Sequence, residues 1–149
     1  MLNNERAFLK TIGFSEIGRS LLAESDDGYN VLLGGTTFVS YGDHPRKKIT
    51  VNGLTSTAAG KYQILERYYD AYRISLNLPD FSPHSQDLIA LQMIKECHAL
   101  EDINAGRFEE AIIKCNSRWA SLPNSPYGQH TNTMAHLKAY YENVGGLLE

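Results

Sequence analysis

The chain has 149 residues, 42% of them apolar and 21% charged, and a formal net charge of −3. That composition suits a single domain with its own hydrophobic core rather than a disordered chain. The negative balance excludes the basic face that a nucleic-acid binder needs, and no apolar run is long enough to span a bilayer as a helix. The first residues, "MLNNERAFLK", carry no apolar stretch after a basic start. No secretory signal is read there, so the chain is expected to stay in the cytoplasm unless another system moves it.

Taken in chain order, Asn3 or Asn4 can cap a first helix, with Glu5 in its first turn. Phe8, Ile12 and Glu16 then recur every four residues along one face. "YNVLLGGTTFVS" reads as a β-hairpin turning at Gly34-Gly35, and "KKITVNG" as a third short strand that closes at Asn52-Gly53. Between them "YGDHPRK" is a polar loop. "STAAGKYQIL" is a run of small residues into Gly60, after which the period becomes helical: Tyr62, Leu65, Tyr69 and Tyr72 mark about four turns.

"FSPHSQDLIALQMIKE" opens a further helix with Ser82 as N-cap and Pro83 at the first helical position. A helix through "RFEEAIIKCN" leads into the loop "RWASLPNSPYGQ". A last helix runs from about Asn132 to Asn143 and stops at Gly145-Gly146. There is no repeat, low-complexity tract or linker, so residues 1–149 read as one domain. The fold class is α+β, mainly helical, with a small antiparallel β-sheet and a cleft expected between sheet and helices. Cys97 and Cys115, the only cysteines, lie beside apolar residues in helical patterns. They read as two small buried thiols rather than a disulfide, and show no zinc-ligand spacing.

Glu16 is the most informative residue. It ends the stripe begun by Phe8 and Ile12, where an apolar side chain is expected, and it lies near the negative end of the helix dipole. Desolvation and the dipole both disfavour the carboxylate and raise its pKa. A carboxylic acid still protonated near neutrality is what acid-catalysed glycosidic cleavage requires. The competing reading is a solvated glutamate where the helix frays.

The order of motifs is itself distinctive. "FSE" at a helix end, "GYNVLLGG", "DHPRK", "STAAGKYQIL", "FSPHSQDLIALQ" and "WASLPNSPYGQ" together resemble the lambda-type phage endolysins. The resemblance runs from about Arg6 to Gly146. It implies a lysozyme-like fold and a lytic transglycosylase acting on the MurNAc-GlcNAc β-1,4 bond of peptidoglycan. In the family the glutamate of the Ser-Glu pair is the catalytic acid, which here is Glu16. The family's small-residue loop followed by Tyr-Gln lines the sugar cleft. Here it corresponds to Ser56, Thr57, Gly60, Tyr62 and Gln63, small because a glycan is expected to pass close to the backbone. The loops around "DHPRK" and "LPNSPYGQ" match two lips over the cleft, which makes Tyr127 and Gln129 candidate substrate contacts. Gln92, in "ALQMIKE", is a further one. The resemblance also implies a monomer with no cofactor or metal, made in the host cytoplasm without a signal peptide. Its partners are peptidoglycan glycan strands, with no nucleic acid and no membrane insertion, and it reaches the periplasm and wall by holin-mediated release.

Two positions depart from the family. Asn30 stands where an Asp follows the Gly-Tyr, and Cys97 stands where a basic residue is usual. The amide of Asn30 can hydrogen-bond sugar but cannot act as a carboxylate base or nucleophile. Hydrolases generally need two carboxylates; Glu24, Asp26, Asp27 and Asp43 lie in polar segments and read as solvated charges. A transglycosylase needs one.

Three other functions are weighed. A hydrolytic lysozyme or chitinase of the same fold would use Glu16 with an acidic loop residue as base. A decayed glycan-binding domain is disfavoured by the intact Glu16. A metal amidase is disfavoured because His44, His84, His98, His130 and His136 form no His-Glu-x-x-His pattern.

Overall fold

The computed structural model describes residues 1–127 and 131–149. In chain order they form α1 (Asn3–Ile17), α2 (Arg19–Glu24), β1 (Ile49–Val51), β2 (Leu54–Ser56), α3 (Glu66–Ser75), α4 (Pro83–Glu96), α5 (Leu100–Asn104), α6 (Phe108–Cys115) and α7 (Met134–Asn143). The architecture is helix-rich with one small antiparallel sheet, as the sequence pattern requires. The chain parts into two compact units, one of Met1–Ser15 with Ala90–Glu149 and the other of Glu16–Ile89.

The first unit is built on helices. Phe8, Ile12, Phe108, Ile112, Leu137 and Tyr141 are all buried, and Phe108 meets both Phe8 (ring centroids 5.8 Å) and Tyr141 (4.5 Å). Phe14 stacks on Tyr140 at 4.0 Å. Asn3 and Asn4 do not act as caps. They lie inside α1 and donate their amides to the carbonyls of Gly145, Ile103 and Leu147, while the Glu5 carboxylate accepts from the Leu2 N–H. At α7 the cap is Thr133, whose hydroxyl accepts from the His136 N–H.

The second unit holds the sheet. β1 and β2 pair in register Ile49–Ser56, Thr50–Thr55 and Val51–Leu54 across the turn Asn52-Gly53. Both turn residues have positive φ, +50° and +80°, the backbone that a two-residue hairpin demands. The sequence pattern shows the strand before this turn but misses its partner, because Leu54–Ser56 is exposed and lacks alternation. The expected hairpin at Gly34-Gly35 exists only as an isolated bridge. Leu32 donates to Thr36, Phe38 donates to Asn30, and Val31 faces Thr37, but no continuous strand forms.

Two helical expectations need correction. α3 starts at Glu66, not near Tyr62, because Gln63 has φ +50° and breaks the helical path. α2 and α5 are extra short helices, too brief to show a period. The start at Pro83 stands as expected, with Ser82 Oγ accepting from the Ser85 N–H at 3.3 Å.

His44 pins the polar loop that precedes the sheet. It is 2% exposed, packed on Phe81 (4.9 Å) and Tyr69 (5.8 Å). Its Nε2 lies 2.8 Å from the Ile64 carbonyl and its Nδ1 accepts from the Arg46 N–H at 2.9 Å. A carbonyl only accepts, so Nε2 carries the proton and the ring is the neutral tautomer. Charging it needs a proton on Nδ1, which already accepts a bond. Burial is the main cause that lowers its pKa below the ordinary histidine value. Stability from this residue is therefore complete above the unfolded pKa of about 6.5 and lost as the pH falls toward the folded value. Acid should destabilise the protein by up to about 1.4 kcal/mol per pH unit in that window. Urea melts between pH 7 and 5 should show this slope, and His44→Gln, which keeps one donor and one acceptor, should flatten it.

Candidate active site

Glu16 occupies the last turn of α1, half-buried, with the buried Ile17 after it. The helix ends because Gly18 takes φ +87°, and α2 begins at the next residue. The peptide leading into Glu16 is firmly held. Ser15 Oγ and Ser121 Oγ are 2.7 Å apart, and the Asn132 amide donates to both the Ser15 carbonyl (3.2 Å) and its Oγ (3.0 Å). Asn132 also donates its own N–H to the Ser121 carbonyl at 2.8 Å. The Ser15 carbonyl is one of the four that a helix C-terminus leaves without an internal partner. Asn132 satisfies it from a distant part of the chain.

The small-residue run is packed closely against other parts of its own unit. Ala58, Ala59 and Gly60 are buried, and Ala59 bridges to both Leu32 and Ile64. Gly60 has φ +82°, and a Cβ built there would lie 2.2 Å from Oε1 of Gln86. That amide is fully buried and fully engaged. Its oxygen accepts from the Lys61 N–H, and its nitrogen donates to the carbonyls of Tyr29 and Phe81. The residues are small so that the chain's own backbone and Gln86 fit against them.

Tyr62 is likewise internal. It is 2% exposed and donates its hydroxyl to Asp87 at 2.6 Å; Tyr29 donates to the same carboxylate oxygen at 2.9 Å. Burial first, and then the Asp87 charge, raise both phenols well above their ordinary pKa. An exposed ring face for a sugar, expected of Tyr62, is absent. Gln63 is half-buried and gives its amide nitrogen to the Val31 and Gly60 carbonyls. Ser56 Oγ accepts from the Ala58 N–H, and Thr57 Oγ1 accepts from the Glu66 N–H, capping α3 from nine residues away.

Asn30 is half-buried. Its side-chain oxygen accepts from the Asp26 N–H at 2.9 Å, a bond an Asp would make equally well. Gly60, Tyr62 and Gln63 thus share one network in the second unit, joined through Val31, Gln86 and Asp87, whereas Asn30 bonds Asp26 and Phe38. Gln86 and Asp87 are the residues that sequence reasoning missed. Their signal was weak, since α4 also carries the polar residues His84, Ser85, Gln92, Lys95 and Glu96.

The loop acids are also engaged. Asp27 pairs with Lys61 Nζ at 2.9 Å, and that ammonium lies 4.7 Å from the Tyr29 ring centroid. Asp26 accepts from the Tyr41 hydroxyl, and Asp43 is bound by Arg46, which holds its carboxyl below the usual range. Glu24 is exposed at the end of α2. In the first unit, Gln92 donates to Glu96 at 3.3 Å along α4. The exposed Tyr127 donates its hydroxyl to the Ser117 carbonyl. Gln129 lies outside the described residues. Among the described residues, no cluster of His, Cys, Asp and Glu could hold a metal ion.

Gly60→Ala and Gly18→Ala make a controlled comparison, since both sites have positive φ but only Gly60 meets an obstacle. Gly18→Ala should cost roughly 1–3 kcal/mol, backbone strain alone, since φ +87° with ψ +157° is a conformation that only glycine adopts readily, whereas Gly60→Ala should cost roughly 2–4 kcal/mol or more through strain plus displacement of Gln86. Denaturant melts of the two variants measure the difference. Equal losses would mean that Gln86 yields freely.

Comparison with known proteins agrees over nearly the full chain. A family model described as Endolysin matches residues 6–148. The endolysin of Escherichia phage lambda is 47% identical over 148 residues, covering 97% of this chain and 94% of the relative. That of Escherichia phage P2 is 40% identical over 155 residues, with the same coverage of each. The structure of bacteriophage lambda lysozyme complexed with a chitohexasaccharide superposes with a TM-score of 0.96 at 44% identity, covering 100% of this chain and 98% of that one. A second structure, of lysozyme from bacteriophage lambda, gives 0.90 at 43% identity, again covering 100% and 98%. The fold is therefore lysozyme-like, and the chain belongs to the endolysin family.

Proposed function

We propose that this endolysin degrades peptidoglycan as a lytic transglycosylase, cutting the MurNAc-GlcNAc β-1,4 bond and leaving 1,6-anhydroMurNAc. The observation that carries the reading is Glu16. It is a half-buried carboxyl in the last turn of α1, preceded by a tightly braced Ser15, in a chain of this family. The glycan-bound state of lambda lysozyme supports an extended β-1,4-linked sugar as ligand. The enzyme acts as a single-domain monomer without cofactor, reaching the wall through a holin-type lesion.

Glu16 acts first as acid and then as base. Its proton goes to the glycosidic oxygen, so the GlcNAc leaves with a free 4-hydroxyl. The resulting carboxylate then takes the proton of the 6-hydroxyl on the same MurNAc. That oxygen attacks C1 and closes the anhydro ring, which returns Glu16 to its starting state. The raised pKa proposed for Glu16 has its source in partial burial and in the helix C-terminus. Support for one carboxylate rather than two comes from the loop acids. Asp26, Asp27 and Asp43 each already have a donor or cation on a carboxylate oxygen, so those oxygens are engaged within the protein. Asn30 carries no charge. Ser56, Thr57, Asn30, Gln63, Gln92, Tyr127 and Gln129 remain the proposed glycan-side residues. Gly60 and Tyr62 serve the site by shaping its floor.

Glu16→Gln should keep the melting temperature and lose at least about 10²-fold in lysis of permeabilised cells, since the amide has no proton to give. Retained lysis in a folded variant would remove Glu16 from the mechanism. Digestion of purified peptidoglycan in water enriched in oxygen-18 tests the fate of water. Anhydro ends that are unlabelled and resist borohydride are expected. Labelled, reducible ends as the main product would identify a hydrolase.

A further inference from the structure

Cys97 and Cys115 form a site unrelated to the bond-breaking chemistry. Cys97 is half-buried at the C-terminal end of α4, where His98 takes φ +59° and stops the helix. Cys115 is the last residue of α6 and is fully buried. The two segments are clamped together on both sides of the thiols. Arg118 binds the Glu96 carboxylate at 2.8 Å, and Lys114 donates to the His98 carbonyl at 3.3 Å. Residues 96 and 98 are thus tied to residues 118 and 114, with the cysteines between these ties, and the two thiols are close enough to perturb one another's ionisation.

We propose that Cys97 and Cys115 are a dithiol site that closes to an intramolecular disulfide when the protein meets a disulfide oxidant such as oxidised glutathione. The two cysteines have different duties. The neighbouring Cys115 thiol and the nearby Arg118 charge favour the Cys97 thiolate and bring its pKa down to about 7. The neighbouring Cys97 and deep burial push Cys115 up. The less buried, more acidic thiol is therefore the attacking one.

The steps balance. The Cys97 thiolate attacks one sulfur of the oxidant and expels the first glutathione thiolate, leaving a mixed disulfide. Cys115 gives its proton to solvent and attacks the Cys97 sulfur, expelling the second glutathione thiolate. Two protein thiols are oxidised and one glutathione disulfide is reduced to two glutathiones. The new bond closes a loop of about 18 residues and ties the end of α4 to the end of α6. Such a bond is absent in a reducing cytoplasm and forms where the surroundings oxidise thiols. An enzyme that leaves the cytoplasm would be braced on arrival. The chemistry stands whether Glu16 serves a transglycosylase or a hydrolase.

The full-length protein, purified under reductant, is exchanged into oxidised glutathione near pH 8. Intact mass should fall by two hydrogens with no retained glutathione, and both thiols should resist alkylation after unfolding. The melting temperature should rise by about 5–10 °C and return on reduction. Cys115→Ser should instead hold one glutathione stably on Cys97. Cys97→Ser should stay unmodified in the folded state, and circular dichroism confirms the fold of each variant. The wild-type reading decides the matter even where a variant fails to fold. Stable glutathionylation of the wild-type protein, disulfide-linked dimers, or two thiols that remain reduced would each overturn the proposal.

Discussion

The amide of Gln86 is the constraint on which the second unit depends. A buried primary amide has to satisfy its oxygen and its nitrogen, and a half-satisfied one is expensive. Gln86 meets this with three backbone groups from three separate segments, Tyr29, Lys61 and Phe81. Those bonds pin the turn after α2, the small-residue run and the entry to α4 to one another. Gly60 follows as a requirement. Only a residue without Cβ leaves room for the Gln86 oxygen at 2.2 Å from the Cβ position, and the same residue accepts φ +82° without penalty. Tyr62 and Tyr29 then converge on Asp87, the residue after Gln86.

That arrangement shows why some of the molecule was legible in the sequence and some was not. Local signals transferred directly. Ser82-Pro83 started α4, and the stripe of Phe8 and Ile12 ended at Glu16, where the helix indeed stops one residue later. What depended on distant partners stayed hidden. The run "STAAGKYQIL" signals close approach, but nothing within it says whether the approaching group is a ligand or Gln86, 26 residues on. Tyr62 fits a helical period with Tyr69, yet Gln63 at φ +50° takes it out of the helix. A non-glycine residue in that region is paid for by its own side chain, which binds the Val31 and Gly60 carbonyls.

The surroundings of the proposed acid divide in the same way. An acidic residue closing an apolar stripe is visible in sequence. The bracing of Ser15 is not visible, because Ser121 and Asn132 lie 106 and 117 residues away. Asn132 reads as an ordinary polar residue before a helix. In the structure it satisfies a C-terminal carbonyl of α1 and holds the serine hydroxyl in place. Placing a carboxyl within a fraction of an ångström of a reacting oxygen needs such a support, since looseness of about 1 Å can cost on the order of 100-fold in rate.

The charges of the second unit bear on how much chemistry a single acid must do. Activating water requires a carboxylate whose lone pairs are available and whose basicity is intact. Lys61, Tyr41 and Arg46 donate to Asp27, Asp26 and Asp43, and Tyr29 with Tyr62 donate to Asp87. Each such bond occupies a lone pair that water activation would need. These acids therefore serve as structural acceptors that hold loops and an aromatic pair in position. Replacing Asp by Asn30 beside them preserves the acceptor to Asp26 while removing one more negative charge. On the proposed transglycosylase reading the nucleophile is carried by the substrate as its 6-hydroxyl, and no second protein base is needed.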